Sequence, residues 1–226
     1  MARFTVLGTA PIPGQNSQLR LLERNGEFTI KVAGKPGDLM NTRMHASEDA
    51  LATLTCQKIV NRPAPSVLVG GLGMGFTLAA ALATLGDNAT VTVAELVPGV
   101  VEWNHGPLGE VAGFPVKDPR TRVHLGDVGQ LLAQSNAAFD AILLDVDNGP
   151  EGFTSTENNW IYSPAGLSAA KTALRPQGIL AFWSAGADDA FTKKLQKAGF
   201  TVKPVTVRAH SAGKGAKHVI WLAWCD

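Results

Sequence analysis

The chain has 226 residues, 45% of them hydrophobic, enough for one α/β domain with a buried core and a small appendage. Its 20 basic and 19 acidic residues give a formal net charge of +1, without the like-charge runs of an extended phosphate-binding face, so a small-molecule substrate is expected rather than nucleic acid. No apolar run approaches the roughly 20 residues of a membrane helix, and the opening MARFTVLGTAPIPG lacks the layout of a secretory signal, so a cytoplasmic protein is expected. Cys56 and Cys225 belong to no CxxC pair, and His105, His124, His210 and His218 show no HxH or HExxH spacing, so neither a disulfide framework nor a metal site is indicated.

In chain order, RFTVLG, SQLRLLER and GEFTIKVAG are short strand-like runs separated by turns such as APIPG and RNGE, which read as a small N-terminal β appendage over residues 1–38. The stretch SEDALATLTCQKIV then places Leu51 and Leu54 at helical spacing with Ser47 as N-cap, and NRPAP ends that helix. From Ser66 strands alternate with helices: SVLVGG strand, GFTLAAALATL helix, ATVTVAEL strand, PGVVEWNHGPLG helix, TRVHLGD strand, VGQLLAQ helix, FDAILLDVD strand, SPAGLSAAKTAL helix, GILAFWSA strand and DDAFTKKLQKAG helix. Runs that are apolar on both faces and alternate with helices predict a mostly parallel sheet covered on both sides. The last two runs, TVKPVTV and KHVIWLAW, are too close together for a parallel crossover and predict an antiparallel C-terminal hairpin. The second domain, residues 39–226, is therefore Rossmann-like, and its order resembles that of class I S-adenosylmethionine-dependent transferases.

In VLVGGLGMG a strand turns through Gly71, Gly73 and Gly75 into a helix. Glycines there let the backbone approach a ligand, and the helix start offers unpaired N–H groups. Glu95 ends the next strand, where a carboxylate accepts from both ribose hydroxyls of a nucleotide. A dinucleotide-binding domain would show the same pair, but two features favour S-adenosylmethionine. One is Asp127 at the close of the third strand, with Val128 beside it, positioned for adenine. The other is the terminal hairpin. Asp127 also suits the N-cap of VGQLLAQ.

The run FDAILLDVDNGP carries Asp145 and Asp147 to the carboxyl edge of the sheet, where open α/β sheets place their ligands. Two nearby carboxylates raise one another's pKa or jointly hold a cation, and either arrangement suits an amine acceptor. Asn148, Trp160 and Tyr162 follow and read either as a lid with an aromatic wall or as a staple for the loop. Trp103, Trp183, Trp221 and Trp224 read as core.

These segments together resemble the spermidine synthase family, the polyamine aminopropyltransferases, from about Met44 to Gln177. HASE is similar to the family's Tyr-His-Glu segment, VLVGGLGMG to its glycine turn, and VAELVPGVV and DPRTRVHLGD to the stretches carrying the ribose and adenine contacts. FDAILLDVDNGP is similar to the Asp-rich catalytic stretch. The resemblance implies a transferase acting on a small-molecule amine, with Glu48 as an amine contact and a homodimer as the assembly. Three departures stand out. Gly73 occupies a position where the family carries an aspartate toward the donor's amine, which tilts the reading toward S-adenosylmethionine and methyl transfer. Aminopropyl transfer from decarboxylated S-adenosylmethionine is the alternative, and a non-catalytic nucleoside-binding protein a further one. The aspartates are spaced Asp-Val-Asp, which makes Asp145 the more secure catalytic position, and Met44 stands where the family has its tyrosine.

Overall fold

The computed structural model describes residues 4–146, 160–210 and 215–225. An antiparallel meander comes first: β1 (Thr5–Pro11), β2 (Gln18–Arg24), β3 (Glu27–Val32) and β4 (Met40–Asn41), adjacent in that order. Asn25 and Gly26, with φ of 56° and 79°, join β2 to β3. Both central residues of this hairpin turn are left-handed, as the twist of a two-residue connection requires. The two-residue β4 was not foreseen, because so short a strand leaves no alternation to read.

The remaining elements are α1 (Ala46–Cys56), β5 (Ser66–Gly70), α2 (Phe76–Thr84), β6 (Thr90–Glu95), α3 (Pro98–His105), α4 (Pro107–Ala112), β7 (Thr121–Leu125), α5 (Val128–Gln134) and β8 (Phe139–Leu144). They continue through α6 (Pro164–Ala173), β9 (Leu174–Ser184), α7 (Asp189–Lys197), β10 (Thr201–Arg208) and β11 (Lys217–Trp224). Seven strands form one sheet in the order β10-β11-β9-β8-β5-β6-β7. The strands from β9 to β7 in this order run parallel, while β11 is antiparallel to both β9 and β10. This is the α/β architecture with a terminal antiparallel hairpin expected from the sequence. The segment PGVVEWNHGPLG is two helices rather than one, broken at Gly106–Pro107, because proline has no N–H to continue a helix. Ser47 lies inside α1, whose N-cap position is His45.

Successive strand residues point to opposite faces, and the core divides accordingly. Val67, Val69, Ala141 and Leu143 pack with Leu51 of α1, Leu78 of α2 and Leu21 and Ile30 of the N-terminal sheet. Leu68, Ile142 and Leu144 pack with Leu132, Leu167 and Phe191 on the other side. Full burial of each such side chain contributes about 1.5–3 kcal/mol. Trp103 and Trp221 are buried as expected, the latter donating from Nε1 to Thr192 Oγ1 at 2.9 Å. Cys56 is buried and its thiol is pushed up to about 12 by that burial.

At the amino edge of β8, buried Asp140 receives Arg62 at 2.5 Å, Arg175 at 2.8 Å and the Ser66 backbone N–H at 2.7 Å. A buried carboxylate is tolerated when its lone pairs are filled in this way. The network ties the segment after α1 and the start of β9 to the central strand. Among the described residues no helix is long and apolar enough to cross a membrane.

The chain runs β5 to β6 to β7 in one direction and β8 to β9 in the other, so the order reverses between β5 and β8. Open α/β sheets bind ligands at such a reversal, outside the carboxyl ends of the strands. Gly70 pairs with Ala94 on one side and Leu144 on the other. The glycine turn, Glu95 and Asp145 therefore all leave the sheet at one level.

Candidate active site

The turn after β5 is held by close backbone contact. Gly71 has φ of 89°, and a Cβ there would lie 2.3 Å from the Asp145 carbonyl oxygen. Only glycine accepts that approach. The Glu95 carboxylate braces the same turn: its oxygens accept from the N–H of Leu72 at 3.0 Å and of Val97 at 2.8 Å. Burial raises the Glu95 pKa, and the backbone N–H groups of Val97, Leu72, Gly73 and Leu96 oppose that rise by favouring the anion. From α3, Asn104 donates to the Gly73 carbonyl at 2.9 Å and to the Val100 carbonyl, while its buried Oδ1 has no partner among the described residues.

One cavity, of about 130 Å³, brings together Gly71, Gly73, Glu95, Asp127 and Val128. Asp127 caps α5, accepting from the Gln130 N–H at 2.8 Å, so one oxygen is committed to the helix while the residue still lines the cavity. Gly75 does not line it. With φ of 87° and an ideal Cβ only 2.7 Å from Asn104 Oδ1, its role is to start α2 against α3.

A second cavity, of about 100 Å³, adjoins the first; Met40, Gly73, Asp145 and Val146 line both. Its acidic groups are Glu48, from the first turn of α1, and Asp145, from the end of β8. Burial pushes the Asp145 carboxyl up to about 6, against the lowering effect of Thr77, whose hydroxyl donates to Oδ2 at 2.6 Å. Glu48 is pushed up to about 7, first by burial and then by the charge of Asp145, while the Ser47 hydroxyl, 2.5 Å from Oε2, opposes the rise. Half-buried and facing the same space, the two carboxylates, when ionised, form a negative site that a cation would relieve. No lysine or arginine lines either cavity among the described residues.

Several readings change. Tyr162 is buried against Phe182 and Phe191, with ring centroids 5.5 and 5.4 Å away, so it belongs to the core on the far side of the sheet rather than to a pocket wall. Trp160 lies over Gly129 of α5 and lines neither cavity. Both side chains follow the apolar pattern that gathers around α6. Trp183, read as core, is buried but lines the acidic cavity, and its Nε1 has no partner among the described residues. Asp147 and Asn148 lie outside the described residues. His45 is a packing residue: it stacks on Phe76, which lines the acidic cavity, with ring centroids 4.0 Å apart, and meets Asp49 at 2.8 Å.

Sequence reasoning missed Met40, Thr77, Asn104, Ser47 and His218. His218 Nδ1 lies 2.8 Å from Ser47 Oγ, across 171 positions of sequence. Thr77, the second residue of α2, was within reach once α2 was placed beside the end of β8. The others depend on contacts between distant elements.

Sheet order, the glycine turn, the Glu95 carboxylate at the end of β6 and Asp145 just after β8 together match the class I S-adenosylmethionine-dependent transferase fold. Residues 60–200 match the Spermine/spermidine synthase domain, and the chain belongs to that family. It is accordingly a transferase enzyme. Among solved structures the fold is similar to that of a spermidine synthase in complex with the transition-state analogue AdoDATO, with TM-score 0.73 at 15% identity, covering 98% of this chain and 72% of that one. It is also similar to spermidine synthase from Thermotoga maritima, with TM-score 0.74 at 15% identity over 98% and 73% of the two chains. No curated protein sequence shows significant similarity to the chain.

Proposed function

We propose that the protein transfers an aminopropyl group from decarboxylated S-adenosylmethionine to a small aliphatic amine. The observation that carries this reading is the pair Glu48 and Asp145 facing one cavity whose described lining holds no cation. Decarboxylated S-adenosylmethionine bears a sulfonium and an ammonium, and an aliphatic amine arrives protonated. All three charges are attracted to such a site. Intact S-adenosylmethionine adds a carboxylate, which Glu48 and Asp145 repel.

The preference for methyl transfer, drawn from Gly73, loses its basis. An ideal Cβ at Gly73 lies 3.0 Å from Met40 Sδ, so glycine there admits β4 rather than a donor carboxylate. Family membership likewise supports the aminopropyl alternative.

In this reading the backbone at Gly71 and Gly73 and the carboxylate of Glu95 hold the ribose side of the donor, and Asp127 and Val128 its adenine. Asp145, steadied by Thr77, orients the acceptor nitrogen, with Glu48 as its neighbour in charge. Once a carboxylate has taken one proton from the ammonium, the nitrogen lone pair attacks the carbon beside sulfur and the C–S bond breaks with its electron pair on sulfur, leaving a secondary ammonium and a neutral thioether. The apolar walls, among them Phe76 and Leu72, keep water from competing. Residues 1–38 are taken as an appendage and 39–226 as the transferase domain; a homodimer and a cytoplasmic location remain part of the proposal.

The test is incubation with an aliphatic diamine and each donor separately, followed by mass spectrometry. An acceptor gaining an aminopropyl group supports the reading. An acceptor gaining a methyl group from S-adenosylmethionine, with nothing from the decarboxylated donor, contradicts it.

A further inference from the structure

The proton released by the acceptor must leave the acidic cavity, whose described lining holds no basic side chain to take it. Glu48 Oε2 lies 2.5 Å from Ser47 Oγ, and Ser47 Oγ lies 2.8 Å from His218 Nδ1. Ser47 is wholly buried and His218 is half-buried, so this file of three groups begins at the acidic cavity and ends at a ring with access to the exterior. We propose that Ser47 and His218 form a proton exit from the acceptor pocket, passing the proton taken up by Glu48 through the Ser47 hydroxyl to His218 Nδ1 and out from Nε2.

The proposal rests on the amine-transfer reading and extends it. The chemistry closes without a co-reactant. With Glu48 ionised, the Ser47 hydroxyl donates to Glu48 and His218 Nδ1–H donates to Ser47. Once Glu48 has taken the amine proton and the ring is in its Nε2–H tautomer, the Glu48 O–H donates to Ser47 and Ser47 donates to Nδ1, so each bond reverses polarity. The imidazolium loses its Nε2 proton to solvent, which leaves Glu48 ionised and the ring protonated at Nδ1, and exchange of the ring between its two neutral tautomers through solvent readies Nδ1 to accept the next proton. Burial lowers the pKa of His218, which favours release over retention. The ring is held edge-on to Trp183, with centroids 4.7 Å apart, so the last group in the file is fixed beside the cavity wall.

The charged groups on the elements packed around His218 are few. Glu48 and Asp49 lie on α1, Lys217 precedes His218 on β11, and Arg208 pairs in register with Lys217 on β10. Arg208 donates to the Gly215 carbonyl and Asp49 is engaged by His45. Among the described residues, only Glu48 is joined to His218 by hydrogen bonds through Ser47.

Ser47 and His218 act through Glu48, so the test needs a readout that packing alone does not move. In His218→Ala, kcat with the amine is expected to fall roughly tenfold or more with KM of the amine unchanged, and added imidazole to restore it. Ser47→Ala is expected to show the same kcat loss without imidazole rescue, because the break lies upstream of the ring. Unchanged kcat in both variants overturns the relay, as does a loss in His218→Ala that imidazole fails to restore. The second measurement needs no turnover: NMR titration of the His218 ring in the wild type, Ser47→Ala, Glu48→Gln and the variant carrying both substitutions. The relay predicts a lower midpoint in Glu48→Gln, since the anion favouring imidazolium is gone, with the shift abolished when Ser47 is also replaced. Identical midpoints overturn it. If wild-type protein transfers nothing to any amine but the midpoints move as described, the transfer reading fails while the proton connection holds.

Discussion

The Thr77 hydroxyl, at the start of α2, donates a 2.6 Å hydrogen bond to the carboxylate of Asp145, at the end of β8. The helix that begins after the glycine turn thus shifts the ionisation of the acid that lines the acidic cavity. Thr77→Val removes the donor that, among the described residues, holds Asp145 below the value burial alone would give. A hydrogen bond to a charged group is worth about 1.5–3 kcal/mol, or roughly one to two pH units. The acid limb of the kcat/KM profile is expected to move up by about that amount, which a pH–rate series on both proteins measures.

Glu48 and Asp145 also make the ligand-free protein sensitive to pH. Their folded-state values, about 7 and about 6, lie above the ordinary carboxyl range. Between the unfolded and folded values the native state binds more protons, so stability falls as pH rises. Thermal unfolding is therefore expected at lower temperature at pH 8 than at pH 5. Glu48→Gln should raise stability at pH 8 by on the order of 1–2 kcal/mol while weakening amine binding. A pH series of melting curves with and without the diamine checks both.

Gly71 is the least replaceable residue of the turn. In Gly71→Ala the new methyl meets a backbone carbonyl at 2.3 Å in a left-handed conformation. Neither the β5 end nor the β8 end can retreat without breaking the sheet. A loss of about 2–4 kcal/mol in unfolding free energy is expected by chemical denaturation, with donor binding lost in parallel.

Gly73 and Met40 make a coupled pair. Gly73→Asp alone places a side chain against the Met40 sulfur and should weaken binding of every donor. Combined with Met40→Ala, the new carboxylate keeps only the backbone strain of a side chain at φ of 50°, and preference for the decarboxylated donor should exceed that of the wild type. Calorimetry on the two variants separates steric from electrostatic effects.

The sheet and most of its helices were legible because their patterns are local. Wholly apolar runs such as Val67–Val69 and Ala141–Leu144 announce a doubly covered strand, and the short loop after Arg208 announces an antiparallel partner. The residues that line the first cavity were legible for the same reason: Gly71, Glu95 and Asp127 lie at or just past the ends of β5, β6 and β7, and strand ends of a parallel sheet share one edge. The acidic cavity was less so. Tyr162 and Trp160 follow Asp145 in sequence, yet their side chains turn away to the core beneath α6. Met40 reaches the site only because β4 folds back over the glycine turn, and His218 only because β11 brings it beside α1. Neither contact leaves a periodicity to read.

The central claim is that the acidic cavity selects a donor without a carboxylate. Isothermal titration with decarboxylated S-adenosylmethionine and S-adenosylmethionine, each alone and at the same pH near 8, tests it most directly. The decarboxylated donor is expected to bind about tenfold more tightly or better, a difference of about 1.4 kcal/mol, and the gap is expected to narrow in the Glu48→Gln variant. Equal binding, or tighter binding of S-adenosylmethionine, would contradict the account.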